Sequence, residues 1–162
     1  MVVGVTPGLP DLVPLTAAAL AQACGAPHVY FAYADPSRHV VSEHPDGSVT
    51  HAPLDPDSSD ESWHEREVQC LERLRELLTD VACDWSFRFL AGRPDRALTH
   101  LARAVDAAAI VVGTRAPGPG AHLRELMEGS VAVQLAHHQH RPVVTVPLTV
   151  VDWKATSSSW DR

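Results

Sequence analysis

The chain has 162 residues and a net charge of −7, with a single lysine at Lys154. Its 45% hydrophobic fraction can supply the core of one domain, and its 20% charged fraction excludes a disordered, highly charged chain. An acidic chain without a Lys/Arg run is a poor match to DNA, RNA or anionic lipid, and no apolar run reaches the ~20 residues that span a bilayer, so neither a nucleic-acid nor a membrane partner is expected.

"VVGV" (2–5) is an apolar run ended by Thr-Pro-Gly and reads as a buried strand; with no basic region or cleavage-like site beside it, it is not a targeting signal. Asp11 offers an N-cap for a helix that continues through "LTAAALAQAC" to Gly25. "HVYFAY" (28–33) is a second strand. Residues 35–61 interrupt the pattern: Pro45-Asp46-Gly47 is a turn signal flanked by alternating "HVVSE" and "SVTHA". This predicts an inserted β-hairpin over 38–53 followed by a polar connector, a mobile loop being the alternative. Ser62 and Glu65 form a capping-box pattern, and Val68, Leu71, Leu74, Leu77, Leu78 and Val81 make one apolar helix face.

"DWSFRFL" (84–90) alternates as a third strand, and a helix from Pro94 turns Leu98, Leu101, Ala102 and Val105 inward. "AAIVVG" (108–113) lacks polar alternation, as a strand covered on both faces should. A loop over 113–129 leads to a helix from Ser130 to about His138, and "PVVTVP" (142–147) is a fifth strand bracketed by prolines. Strand and helix in steady alternation imply right-handed crossovers and a doubly wound parallel α/β sheet with helices on both faces. One domain over 1–150 and a flexible tail over 151–162 are expected. The three cysteines, Cys24, Cys70 and Cys83, are spaced as reduced thiols and read as small core residues, which fits a cytoplasmic protein.

"VVGV", "LAGRPDRALTHLA", "AAIVVGTR" and above all "GSVAVQLAHHQHRPVVTVP" resemble the universal stress protein family over nearly the whole chain. The hairpin and the last stretch further resemble a branch common in high-GC actinobacteria. The resemblance implies a five-stranded parallel sheet of order 3-2-1-4-5 and a homodimer in which the fifth strand, through Val143, Val144 and Val146, pairs across a two-fold axis. It also implies a site for ATP or another adenine nucleotide. In the family an Asp ends strand one, a backbone group follows strand two, and a glycine loop ends in Gly-Ser/Thr. Carried onto this chain, those positions are Thr6 (beside Gly4), about Tyr33, Gly113 (after Val112), Ala116, and Gly129-Ser130-Val131.

Two positions depart from the family pattern. Thr6 stands where the family has Asp, and Ala116 where it has the second glycine; the interval from Gly113 to Gly129 is also three residues longer. Pro117 and Pro119 have no N–H to give a phosphate, while Glu125 and Glu128 bring negative charge to the helix start. ATP is therefore expected to bind weakly or not at all, with Arg115, His122 and Arg124 leaving room for another small anion. Two function classes stay open: a stress-response binding or regulatory protein with a degenerate site, and a nucleotide-binding sensor with slow ATPase activity. No catalytic residue is assigned, because no G-x-S-x-G surrounds a serine and Ser130 reads as a helix cap. No metal is assigned either: His137, His138 and His140 end a helix with no nearby cysteine or carboxylate to complete a zinc set.

Overall fold

In chain order, the computed structural model has β1 (Val2–Gly4), α1 (Leu12–Ala23), β2 (Val29–Asp35), β3 (Arg38–Glu43), β4 (Val49–Pro53) and α2 (Ser62–Leu77), then β5 (Trp85–Ala91), α3 (Pro94–Ala104), β6 (Ile110–Gly113), α4 (Val131–His138) and β7 (Val143–Val146). It describes residues 1–8, 10–55, 57, 62–114 and 130–148, so the expectations for the 115–129 loop and the 151–162 tail lie outside the described residues. β1 is only three residues long, yet it pairs in parallel with β2 on one side and β6 on the other. β5 joins β2 and β7 joins β6, both parallel, giving the order β5-β2-β1-β6-β7. This is the expected 3-2-1-4-5 order once the hairpin is set aside.

Side-chain alternation sends the strands' apolar residues into two cores. Val3, Phe31 and Val111 meet α1 and α2 on one face, where Ala17, Ala18 and Ala21 of α1 let the helix come close. Val2, Ala32 and Ile110 meet α3 and α4 on the other, against Leu98, Leu101 and Leu135. The buried row of α2 differs from the expected stripe: Cys70 and Leu74, continued by Leu78, meet the core, while Val68 and Leu71 are only half-buried. A row spaced four apart meets the sheet along its middle, and residues one position off it fall on the flank.

Asp11 does not cap α1. Its own backbone is helical (φ −56°, ψ −22°), which does not aim the carboxylate at the first amides. The Arg73 guanidinium takes that carboxylate instead, Nε at 3.1 Å and Nη2 at 2.5 Å, and so ties the start of α1 to α2.

The insertion is an ordered antiparallel hairpin with a register shift between Val40 and Ser42. In its turn Asp46 Oδ1 accepts from the Ser48 N–H (3.1 Å) and hydroxyl (2.6 Å). The hairpin lies against β5, with Asp46 3.7 Å from Arg88 and His51 stacked near Phe89. Its tip rests on α3: Gly47 is buried at φ +80°, and a Cβ there would overlap Leu101 and lie 3.4 Å from Val105. A left-handed backbone is strained by ~1 kcal/mol for a residue other than glycine. Gly47→Ala should therefore lower the unfolding free energy by about 1–3 kcal/mol, read from urea titration, since Leu101 must also move within a filled core.

Candidate functional site

In an open α/β sheet, ligands bind beyond the carboxyl ends of the strands where the winding reverses. Here the reversal is at β1: the chain leaves β1 for α1 on one face and leaves β6 toward α4 on the other. A cavity of about 350 Å³ opens at that point. Gly4, Thr6, Val112, Gly113, Ser130 and Val131 all line it. Of the other expected positions, Ala116 and Gly129 lie outside the described residues. Tyr33 is on the opposite face, buried beside Phe89 with ring centroids 5.5 Å apart. Its neighbours Ala32 and Ala34 line the cavity in its place.

Small side chains make this cleft. Ala32 and Ala34 leave space where larger residues would fill it. The two glycines serve packing: a Cβ on Gly4 would lie 3.0 Å from Leu98 Cδ1 and 3.1 Å from Val112 Cγ1, and one on Gly113 3.1 Å from Val13 and 3.2 Å from Leu148. Polar groups are few. Thr6 is exposed at the mouth, Thr114 Oγ1 already accepts the Leu148 N–H at 3.0 Å, and Ser130 stands at the N-cap of α4. Ser130 has the extended backbone of a cap (φ −68°, ψ 133°), but its hydroxyl makes no capping bond. Among the described residues that line the cleft there is no charged side chain.

The family model described as the universal stress protein family matches residues 15–147. The chain belongs to that family. Among solved structures, a universal stress protein from Archaeoglobus fulgidus is 23% identical, with 89% of this chain and 90% of that one covered at a TM-score of 0.61. The universal stress protein from the same organism in complex with dAMP is 22% identical over 89% and 94% (TM-score 0.59), and one in complex with cAMP is 20% identical over 92% and 98% (TM-score 0.58). At these identities the likeness is one of fold. No curated protein sequence matches the chain.

Behind the cleft of this family member, the opposite face of β2 carries a buried polar network. Asp35 accepts from the Ser37 N–H (2.9 Å), the Ser37 hydroxyl (2.6 Å) and Arg66 Nη2 (2.8 Å). Burial opposes its ionisation, but these donors outweigh burial and hold its carboxyl below the ordinary 3.8. Arg38, also buried, donates from Nε to His51 Nδ1 at 2.7 Å and lies 5.0 Å from the Trp63 ring centre. An imidazole that accepts at Nδ1 is neutral, and burial first, then the Arg38 charge, pushes the His51 pKa below 6.5.

The remaining chemistry-bearing residues have plainer places. Burial pushes the Cys70 thiol up to about 11, which keeps it protonated and inert. Cys24 is exposed rather than in the core, because it lies just past the end of α1. His138 bonds back to the Gln134 carbonyl in the last turn of α4 (3.0 Å). Among the described residues no group of three or more His, Cys, Asp or Glu could hold a metal, and no helix is long and apolar enough to cross a membrane.

One surface feature escaped the sequence reading. Arg93, Arg96, His100 and Arg103 are exposed and spaced 3, 4 and 3 apart along α3, which puts them on one stripe although no basic run exists.

His51 and Asp35 predict how stability depends on pH. Both groups have folded-state pKa values below their ordinary ones, so both contribute stability that is present above the ordinary value and lost as pH falls through the folded one. The urea midpoint should therefore decline first below about pH 6.5 as the unfolded chain protonates at His51, and again below the ordinary carboxylate range. His51→Gln should reduce the first decline, to which His28, also depressed by burial, contributes the rest, while leaving the second.

Proposed function

We propose that this protein is a stress-response binding protein whose cleft at the ends of β1, β2 and β6 is a degenerate nucleotide site that takes Mg-ATP weakly or not at all. The observation that carries this reading is the cleft's lining: it has the volume for a ligand and mostly apolar walls, with Thr6, Thr114 and Ser130 as its polar groups and no charged side chain among the described residues. Thr6 stands where the family's carboxylate would meet the nucleoside. The loss of one charge-assisted hydrogen bond costs roughly 1.5–3 kcal/mol, about 10- to 150-fold in affinity. By sequence, the loop adds two prolines without N–H groups and two glutamates.

A second reading, a nucleotide-binding sensor with slow ATPase activity, is favoured by the open cavity itself, whose apolar walls suit a purine ring. The dAMP and cAMP complexes of neighbouring structures point the same way. Calorimetry separates the two. Mg-ATP, AMP and cAMP should each give no heat or only weak binding, and a Kd below about 10 μM for Mg-ATP overturns the first reading. Thr6→Asp should strengthen adenine-nucleotide binding about tenfold, because it returns the missing acceptor at an exposed position.

We also propose that the protein acts as a homodimer joined along β7. Among the described residues nothing pairs with the outer edge of β7, and an apolar edge strand left open invites association. Val144 and Val146 pack into one core and Val143 into the other, so the backbone of β7 is held rigid for a second copy while Val133 of α4 stays exposed nearby. Light scattering at micromolar concentration should give twice the chain mass; a monomer there removes the proposal.

A further inference from the structure

The inserted hairpin creates a second cavity, between itself, the end of β5 and α3. It is held at two points. At its tip Gly47 presses on Leu101 and Val105, and at its root Arg38 and His51 lock against Trp63. Between these points, the hairpin and α3 enclose about 370 Å³, within the range of small-ligand sites and close to the volume of the cleft.

Its lining has two parts. Val40, Val49, Leu54, Leu90, Ala97 and Leu101 supply an apolar surface. Val40 is 37% exposed and Leu54 61%, so apolar area remains there for a ligand to cover. The charged part is cationic: Arg38, Arg93 and Arg96 against Glu43 alone. Arg93 bonds to Asp95 (2.9 Å), and Glu43 lies 3.5 Å from His100. The Arg96 backbone N–H bonds the Asp95 carboxylate, but its guanidinium, at the rim, makes no hydrogen bond or ion pair among the described residues. An acidic chain thus holds an uncompensated cation beside an apolar surface, whereas the cleft at β1 has apolar walls and no charge among the described residues.

We propose that the space between the hairpin and α3 binds a small amphipathic monoanion, a medium-chain carboxylate in class, with its carboxylate at Arg96 and its hydrocarbon over Val40, Val49 and Leu54. The guanidinium fork matches a carboxylate, and a cavity of about 370 Å³ suits a small ligand rather than a long one.

The test is titration of the full chain with sodium octanoate, followed by amide chemical shifts in NMR. Saturable one-site binding is expected, with shifts gathered at Gly47, Val49, Ala97 and His100. Octylamine, which has the same tail and the opposite charge, should leave those amides unmoved. Arg96→Glu, at an exposed position that does not threaten folding, should weaken octanoate about tenfold or more. Ala97→Phe should block it by filling the space, and Ala34→Val, which narrows only the β1 cleft, should leave it unchanged. The proposal is overturned if octylamine binds equally well, if Arg96→Glu has no effect, or if the shifts gather at Thr6 and Ala32 instead.

Discussion

β1 carries more of this structure than its three residues suggest. It is the central strand of the sheet, covered by α1 on one face and by α3 on the other, and its Val2 and Val3 are fully enclosed. A parallel strand paired on both sides and covered on both faces must be apolar throughout, and it must be short where the next residues turn away. That requirement places Gly4 against Leu98 and Val112, leaves Thr6 at the mouth, and opens the cleft where β1, β2 and β6 end together. The cleft is a by-product of this constraint, so the fold can keep its cavity while the side chains that would recognise a nucleotide change.

The fold was legible because its signals are local. Apolar runs bounded by Gly and Pro mark the strands, and Pro45-Asp46-Gly47 marks the hairpin turn. What stayed hidden depends on parity and competition. β2 is buried on both faces, so its sequence gives no alternation to tell which residues look toward the cleft; Tyr33 goes to one layer and Ala32 and Ala34 to the other. Asp11 has the composition of a cap, but a guanidinium sixty-two residues away in sequence competes for its carboxylate. The α3 stripe is invisible as a run because helical spacing scatters its four members among apolar neighbours.

Charge in this molecule is distributed by burial rather than by sequence. A buried carboxylate costs desolvation energy that only several donors recover, and Asp35 has three. Arg66 therefore serves to register the first turns of α2 against the end of β2 more than to add net stability. Arg38 settles its charge differently, on a neutral imidazole and an indole face. Both arrangements sit at the root of the insertion, so the segment most foreign to a plain five-stranded sheet is fastened by its most specific polar contacts.

The hairpin also sets the geometry of the sheet's margins. A five-stranded open sheet has two edges, here β5 and β7, and a molecule with two adhesive edges can add copies without limit. β3 and β4 lie against β5, with a register shift that bends the hairpin and an Asp46–Arg88 contact holding it there. One margin is obstructed by the chain's own insertion. Among the described residues β7 is then the edge left open to strand addition, and the two-fold pairing proposed for it would be complete at two chains rather than a filament.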